Sequence, residues 1–506
     1  MSTQVRHDAQ LGSSVEGQGE MRRNASTQSG TSSIPVLCVD LDGTLIKSDL
    51  LWECVLILLK MKPLWLFLAP YWLLGGRANL KRQLARHAGL RAANLPYRTE
   101  LVEFLRTERV SGRQIALVTA SERQLADAVA EHLGIFDRVC ASDGKTNLKG
   151  KAKKELLVEL FGDRGFDYVG DSSADMEVWG AAKAGYVVGE EDLARRAAPV
   201  TEVRKVLPAK RAPLKTWLQA LRGHHWFKNI LLFLPLALAH KRSISAWQAT
   251  LAGFVLFGIC ASGLYVLNDL LDLHSDRSHP WKHKRPFAAG ELSIPQGLAI
   301  AFVFLAGSLG VAFSLNAKFG IVLCGYAVLT MWYSLCLKKI ALLDVFILSG
   351  FYSARLIAGG SITGTPLSHW FLVFSMFFFL SLAMAKRYSE LVHAEELIKS
   401  GQSGRGYVGN DRQVLLVLGI ASSFAAVVIL SLYVHSQEVG LLYRRPGPLL
   451  LLCPIILYWL SRIWLRAHRG ELNEDPITFA MRDPLSYAVG AASILAIGAS
   501  VLGIGF

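Results

Sequence analysis

The amino-acid sequence predicts an N-terminal α/β domain with a helical cap, followed by a C-terminal all-α polytopic membrane domain of about nine transmembrane helices. Between residues 34 and 200, three short apolar segments each run into a polar loop, and helical stretches alternate with them, as a parallel sheet requires. Further along, the chain repeats long apolar runs separated by short charged loops. The 506 residues are 52% hydrophobic, which suits this combination.

Changes in composition mark the domain boundaries. Residues 1–33 are polar and lack the apolar core of a signal peptide, so a disordered tail is expected. The α/β texture covers 34–200, and a basic linker is predicted over 201–222. The membrane domain is expected over 223–506.

One apolar stretch inside the α/β region, residues 50–74, is long enough to span a bilayer. Charged residues and two prolines interrupt it, and an Asp-rich loop immediately precedes it. A pair of interfacial or cap helices is therefore favoured over a true span.

Two carboxylates, Asp40 and Asp42 in the sequence DLDGT, end the first predicted strand. Carboxylates two residues apart on such a turn can divide the work of phosphoryl transfer, one attacking phosphorus and the other protonating the leaving oxygen. Later elements of the domain supply further polar residues in loops or at a helix start, namely Thr119, Lys153 (or Lys149), Asp171 and Asp175.

The order of these four motifs resembles the haloacid dehalogenase-like (HAD) superfamily, which has a Rossmann-like fold. The resemblance implies that Asp40 is the nucleophile and Asp42 the general acid/base of a phosphatase. The residues that it implies for holding the phosphoryl group are Thr119 and Lys153, and those for binding Mg²⁺ are Asp40, Asp171 and Asp175. The alternative is an inactive HAD fold kept for docking.

The membrane domain is predicted from nine apolar runs, with approximate spans 226–240, 247–267, 293–315, 318–336, 342–360, 368–385, 413–434, 447–465 and 485–505. The formal net charge is +14, but the basic residues gather in the loops after the second, fourth, sixth and eighth runs. This placement indicates positive-inside topology in the cell (inner) membrane rather than a nucleic-acid surface, with the N-terminal domain and the Asp-rich loops cytoplasmic. The seven cysteines contain no CxxC pair, so no zinc site or disulfide framework is indicated.

Three carboxylates, Asp269, Asp272 and Asp276, follow the second run at i, i+3 and i+7, a spacing that puts them on one helix face. Carboxylates at a membrane boundary are costly unless they are paired or bind a metal, and oxygen ligands suit Mg²⁺. The alternative, in which these residues have no catalytic role, is a charged helix end with a positive-inside loop. The basic residues that follow and would meet an anionic substrate are Arg277, Lys282, Lys284 and Arg285.

A second polar group surrounds the fifth run, where Asp344 and Arg355 are eleven residues apart, or about three helical turns. They are predicted to belong to the active site, the alternative being an internal Asp–Arg pair that holds helices together. Tyr333 and Lys338 precede them as candidate ligands, although Lys338 is equally typical of a membrane boundary. His225, Trp226, Lys228 and Asn229 fit a first helix that lines the site, although Trp and Lys are equally typical of a membrane interface. The weaker candidates, for a cytoplasmic lid, are Lys386, Arg387, Glu390 and Tyr407.

Over residues 213–505 the chain resembles the UbiA superfamily of intramembrane prenyltransferases. The motif NDxxDxxxD is matched by Asn268, Asp269, Asp272 and Asp276, and YSxxLK by the segment 333–338. The second acidic pair of the aromatic prenyltransferases is absent, because Leu348 follows Asp344 at four residues. A single Asp followed by GFxxRxxAG looks more like the decaprenyl-phosphate phosphoribosyltransferase branch.

The resemblance implies an Mg²⁺-dependent transferase that uses a diphosphate donor and a polyprenyl lipid. The expected reaction moves 5-phosphoribose from phosphoribosyl pyrophosphate to polyprenyl phosphate, with the fused phosphatase acting on the product. The alternative is a prenyl diphosphate:aromatic acceptor transferase, and a third class is a non-catalytic lipid-binding or transport protein. The sequence leaves the oligomeric state open.

Overall fold

The structure, a computed structural model, describes residues 34–144, 146–209, 212–393, 406–472 and 475–504. The predicted disordered tail, residues 1–33, lies outside the described residues.

A six-stranded parallel sheet forms the centre of the N-terminal domain, in the order β3-β2-β1-β4-β5-β6. The strands are β1 (Val36–Val39), β2 (Ile115–Glu122), β3 (Arg138–Ser142), β4 (Phe166–Gly170), β5 (Ala184–Gly189) and β6 (Glu202–Pro208). Leu37 and Val39 of β1 join one buried cluster, whereas Cys38 joins another on the opposite face. Because both faces are covered, the inner strands β1, β2, β4 and β5 are apolar without alternation, which confirms the predicted α/β domain.

Helices cover the two faces of the sheet and form the cap. They are α1 (Leu50–Met61), α2 (Ala69–Leu74), α3 (Arg77–Ala88), α4 (Thr99–Val110), α5 (Arg123–Leu133), α6 (Lys151–Phe161), α7 (Met176–Trp179) and α8 (Glu191–Ala197).

The apolar stretch 50–74 is broken into α1, a 3-10 helix (Pro63–Leu68) and α2, so it does not form one continuous spanning helix. The break falls at Lys62, which has a φ of −146° and a ψ of 61°, because the residue before a proline is disfavoured in the helical conformation. Leu64, Phe67 and Leu74 remain 77%, 80% and 85% exposed. An exposed apolar face of this kind suits a membrane interface.

Strand β6 lies inside the segment 201–222 that the sequence analysis assigned to a linker. It pairs with β5 as the edge strand of the sheet. Four of its seven residues are exposed, and its polar sequence resembles a linker. The first half of the predicted linker is therefore part of the sheet, and that boundary is corrected.

The C-terminal domain is helical. Its helices are α9 (Leu214–Leu221), α10 (Leu234–Leu238), α11 (Ile244–Leu271), α12 (Leu273–Arg277), α13 (Ile294–Leu315), α14 (Ala317–Leu335), α15 (Leu343–Thr363), α16 (His369–His393), α17 (Asp411–Val434), α18 (Gln437–Leu442), α19 (Leu452–His468), α20 (Pro476–Ala480) and α21 (Pro484–Leu502).

Eight helices among the described residues are long and apolar enough to cross a membrane. They are α11, α13, α14, α15, α16, α17, α19 with the 3-10 turn before it, and α21. The first predicted run, 226–240, instead forms a 3-10 helix (Gly223–Phe233) followed by α10. Pro235 lies at the junction, where it cannot donate a backbone hydrogen bond. The predicted count of about nine thus becomes eight continuous helices and one broken segment.

The two domains pack together through α1. Leu56 of α1 belongs to the same apolar cluster as Val266 and Phe287 of the membrane domain. Beside it, the fully buried Glu53 accepts two hydrogen bonds from the Arg277 guanidinium, at 2.7 and 3.0 Å. This bidentate pair and the apolar cluster hold the cap against the ends of α11 and α13.

The variant Arg277→Met tests this interface, because it leaves the Glu53 carboxylate buried without its partner. Loss of one partner of a buried ion pair costs about 3–5 kcal/mol. We therefore expect a lower midpoint of thermal unfolding for the full-length protein in detergent, and partial recovery in the double variant Glu53→Met/Arg277→Met.

The matched control is Arg109→Met, which breaks a pair with Asp137 in which both side chains are 40% exposed. An exposed pair contributes about 1 kcal/mol or less. Equal shifts for Arg277→Met and Arg109→Met would contradict the proposed interface.

Candidate active sites

The first candidate site lies at the carboxyl ends of β1 and β4, which are neighbours in the sheet. Asp40 follows β1, while Asp171 and Asp175 follow β4, and one oxygen of each lies within 4.8 Å of the others. Crevices at the carboxyl ends of parallel strands are the usual ligand sites of such sheets. Three carboxylates fit Mg²⁺, which prefers oxygen ligands, so the predicted metal set is brought together.

Lys153, near the start of α6, closes this group from one side. Its Nζ donates to Asp40 Oδ1 at 2.8 Å and to the Tyr168 hydroxyl at 2.9 Å, and Tyr168 in turn donates to Asp175 at 2.9 Å. Burial lowers the pKa of Lys153, but the Asp40 and Asp175 carboxylates outweigh this and raise it. The lysine is therefore held as a cation beside the predicted nucleophile.

Asp42 lies on the other side, where Ser121 Oγ donates to Oδ2 at 2.5 Å and Leu50 N donates to Oδ1 at 2.9 Å. The predicted Thr119 hydroxyl is more distant, at 3.4 Å from Oδ2. Burial, aided by the nearby charge of Asp49, raises the pKa of Asp42 to about 7. A carboxyl group that titrates near neutral pH can both donate and accept a proton. Ser121 was not among the predicted site residues, although it lies in the same strand as Thr119.

The second candidate site is the Asp cluster at the end of α11. Arg285 Nη1 bridges Asp269 at 3.1 Å and Asp276 at 2.6 Å, and Arg222 also donates to Asp269, at 2.6 Å. These two aspartates are 3% exposed. The carboxylates suit Mg²⁺ chemically, but here they pair with cations, so Mg²⁺ would have to compete with Arg285 for them.

Asp272 differs from its two neighbours because the helix ends there and α12 begins one residue later. Its carboxylate accepts from Lys338 at 2.6 Å and from Lys60 of the cap at 2.8 Å. Burial alone would raise the pKa of Asp272, but these two ammonium groups lower it. The predicted ligand Lys338 thus reaches the cluster, whereas Lys60, which the sequence analysis did not include, arrives from the other domain.

Three of the predicted binding residues lie outside this cluster. Arg277 turns toward Glu53, because one further position along a helix rotates a side chain by about 100° from Asp276. Lys282 is exposed on a 3-10 turn, and the Tyr333 ring packs edge-on against Phe351, with centroids 5.7 Å apart. The prediction for Arg277 is corrected, since its guanidinium belongs to the domain interface. Asn268 stays on the last turn of α11, half-buried.

Asp344 and Arg355 do not pair with each other, which overturns the alternative of an internal Asp344–Arg355 bridge. Asp344 is fully buried and pairs with Arg387 at 2.5 Å, and it also accepts a hydrogen bond from Tyr407. Arg387 and Tyr407, considered as members of a cytoplasmic lid, are 2% and 3% exposed and serve as partners of Asp344.

Arg355 lies elsewhere, donating to Asn229 at 3.0 Å and to the Tyr326 hydroxyl at 3.2 Å. Its guanidinium carbon is also 5.0 Å from the centre of the Phe257 ring, a cation–π distance. A buried arginine without a carboxylate partner is costly, and aromatic rings and neutral acceptors compensate here.

Asp475, which the sequence analysis did not select, accepts hydrogen bonds from Lys228 and Lys386, each at 3.0 Å. The Tyr352 hydroxyl lies 3.4 Å away. Burial opposes ionisation, but the two ammonium groups outweigh it and lower the pKa of Asp475. In the sequence, Asp475 is recognisable only as an acidic residue directly before a proline at the start of a helix. This is a common N-cap pattern, so it does not by itself indicate a binding site.

A cavity of about 640 Å³ extends from Lys228 into the membrane domain. Its walls are almost entirely apolar, formed by side chains of α15, α16, α17, α19 and α21, such as Leu356, Phe378 and Trp459. An apolar cavity with one cationic end suits a lipid that carries an anionic head group.

Comparison with known proteins matches both regions. Residues 230–482 match the UbiA prenyltransferase family, and residues 37–179 match the haloacid dehalogenase-like hydrolases. Uncharacterized protein y4nM of Sinorhizobium fredii is 40% identical over 90% of this chain and 89% of its own length. Nodulation protein NoeC of Azorhizobium caulinodans is 35% identical over 54% of this chain and 90% of its own.

Decaprenyl-phosphate phosphoribosyltransferase of Mycolicibacterium smegmatis is 34% identical over 44% of this chain and 70% of its own length. Among solved structures, a UbiA homolog from Archaeoglobus fulgidus bound to GPP and Mg²⁺ is 19% identical, with a TM-score of 0.43 over 57% of this chain and 99% of that chain.

The buried Asp344–Arg387 pair can be tested by removing one charge and then both. Asp344→Leu removes the fully buried partner of Arg387 and leaves it only the partly exposed Glu390 carboxylate. We therefore expect a drop in the thermal midpoint, with a free-energy cost smaller than the ~3–5 kcal/mol of a fully unpaired buried ion. Asp344→Leu/Arg387→Leu should recover most of that loss. Absence of recovery would contradict a paired role, and return of transferase activity in the double variant would contradict the predicted catalytic role of Asp344.

Proposed function

Because the chain belongs to the UbiA prenyltransferase family and carries a haloacid dehalogenase-like domain before it, we propose that it transfers 5-phosphoribose from phosphoribosyl pyrophosphate to a polyprenyl phosphate. In this proposal the N-terminal domain removes the 5-phosphate from the product. The protein is an integral multi-pass membrane enzyme, with eight candidate spans.

The observation that carries the proposal is the cationic end of the 640 Å³ cavity. Lys228 lines the cavity, and Asp475 joins it to Lys386. The cavity can hold a polyprenyl chain while these lysines bind its phosphate. Similarity to decaprenyl-phosphate phosphoribosyltransferases, at 30% to 36% identity, supports the same acceptor.

Transfer requires cleavage of the bond between ribose C1 and the diphosphate, while a phosphate oxygen of the lipid forms the new bond to C1. Positive charge develops on the ribose ring as negative charge leaves with the diphosphate. Arg285, Lys338 and Lys60 are positioned to neutralise that leaving charge. Asp269, Asp272 and Asp276 would hold Mg²⁺, which supplies further neutralisation of the diphosphate.

The geometry around Asp40 supports the proposed phosphatase step. An Asp40 oxygen attacks the phosphorus, Asp42 gives its proton to the departing sugar oxygen, and water then releases inorganic phosphate. Lys153 binds the phosphoryl oxygens and stays charged beside Asp40. Asp40, Asp171 and Asp175 would hold the Mg²⁺ that balances the charge of the phosphoryl group.

The deciding experiment incubates purified full-length protein with phosphoribosyl pyrophosphate labelled in the ribose, together with polyprenyl phosphate and Mg²⁺. Label in the organic phase supports the proposal. Product that forms only from a prenyl diphosphate and an aromatic acid would favour the aromatic acceptor reaction instead.

The two activities should separate by mutation. We expect Asp272→Ala to reduce transfer at least about a thousandfold, or about 4 kcal/mol of transition-state stabilisation, while hydrolysis of p-nitrophenyl phosphate persists. Asp40→Asn is the reciprocal variant and should abolish hydrolysis, form no phosphoenzyme and leave transfer intact. Near-normal transfer by Asp272→Ala at saturating Mg²⁺ would refute its assignment.

The same proposal puts the Asp-rich loops and the α/β domain on the cytoplasmic side, as the distribution of basic residues predicts. In a Cys-free background, Asp49→Cys and Gly75→Cys should both react with an impermeant thiol reagent from the cytoplasmic side alone. Ser245→Cys is the control, because it lies at the opposite end of α11 and should react only from outside. Labelling of positions 49 and 75 from different sides would contradict this topology.

A further inference from the structure

A cavity of about 420 Å³ lies where the phosphatase centre meets the membrane domain. Asp40, Asp42 and Asp171 line its inner part. The opposite wall is not part of the α/β domain, since it is formed by the segment 287–295 that leads into α13. The phosphatase centre therefore has the membrane domain as one of its walls.

Close contacts hold this wall in place. A Cβ atom at Gly290 would lie 2.7 Å from Lys47 Cβ, and Gly290 has a φ of +69°, so a side chain is disfavoured on both counts. The Arg277 guanidinium donates to Ala288 O at 3.1 Å as well as to Glu53. The segment 287–295 is thus fixed against the α/β domain.

The cavity has more basic side chains than the hydrolysis of a small phosphate ester needs. Three lysines face it besides Lys153, and they are Lys47, Lys81 and Lys149. Lys81 donates one hydrogen bond to Ala120 O at 2.7 Å, which leaves two of its three N–H groups for a ligand. Among the described residues of the wall, Asp49 is the one carboxylate besides those of the phosphatase centre. It accepts a hydrogen bond from Leu51 N and so caps α1. These lysines can bind an anionic group that is not the one being hydrolysed.

The membrane side of the cavity is apolar. Phe287, Leu292 and Ile294 line it together with Trp52 of the cap. Ile294 is the first residue of a membrane-spanning helix, so this wall lies at the membrane boundary. A substrate can therefore enter while its hydrocarbon chain remains in the bilayer.

We infer that the membrane domain completes the phosphatase site, and that this site selects a phosphomonoester joined through a second phosphate to a lipid chain. Lys47 and Lys81 bind the second phosphate, and the segment 287–295 guides the chain. The inference deepens the proposed function and rests on it, because the transfer product carries a terminal phosphate, a second phosphate and a lipid. In hydrolysis the bond between phosphorus and the sugar oxygen breaks, and the second phosphate and the lipid are unchanged.

The test uses full-length protein and three synthetic probes: a short-chain polyprenyl-phosphoryl 5-phosphoribose, the matching polyprenyl phosphate, and p-nitrophenyl phosphate. We expect kcat/KM for the first probe to exceed that for each of the others at least about a hundredfold. Equal rates for the first two probes would refute selection of a second phosphate, and equal rates for all three would refute the inference entirely.

The second part of the test changes the charge of the cavity wall. Ser293→Asp puts a negative charge in the cavity and preserves the start of α13, because Asp and Ser are both good N-cap residues. Gln296→Asp is the matched control, since it adds the same charge in the same helical turn at an exposed residue outside the cavity wall. The ratio of kcat/KM for the lipid probe to that for p-nitrophenyl phosphate should fall at least about tenfold in Ser293→Asp and in Lys47→Gln, but not in Gln296→Asp.

An unchanged ratio in both Ser293→Asp and Lys47→Gln would overturn the inference. Because the probe is synthesised chemically, this result is independent of the transfer reaction. A protein that shows the selectivity but does not transfer phosphoribose would support the composite site and refute the proposed transfer.

Discussion

The buried pair between Glu53 and Arg277 determines how the two halves of this protein are arranged. Neither charge is stable in the interface without the other, because a desolvated and unpaired ion costs several kcal/mol. Their pairing fixes α1 of the cap on the ends of two membrane helices. As a consequence the group of Asp40, Asp171 and Asp175 faces the loop after the Asp cluster, and Lys60 reaches Asp272.

Charge neutralisation organises the transferase region in the same way. Asp269 and Asp276 share Arg285, Asp272 has two lysines, and Asp475 has two more. At a membrane boundary such pairing offsets the cost of burying carboxylates. In the proposed reaction Mg²⁺ would bind the carboxylates, and the same cations would then be available for a diphosphate.

Deeper in the helix bundle, the buried charges of Asp344 and Arg355 are stabilised in two different ways. Asp344 is neutralised by Arg387, whereas Arg355 is surrounded by aromatic rings and neutral acceptors. The charge of Asp344 is cancelled within its ion pair, whereas the uncancelled charge of Arg355 leaves a positive field around it. Arg355 is therefore the stronger candidate of the two for attracting an anionic substrate.

The sequence by itself determined the two fold classes and eight of the membrane helices, and it predicted the group of Asp40, Asp171 and Asp175 that the structure brings together. Long apolar runs have few alternatives to a membrane helix, and carboxylates that end adjacent parallel strands must meet at one sheet edge. The tertiary structure alone decided the partners of Arg277, Asp344 and Asp475, because each contact joins residues far apart in the chain. It also decided that the polar edge strand β6 belongs to the sheet and that residues 226–240 are broken, since burial and packing, and not local periodicity, settle such segments.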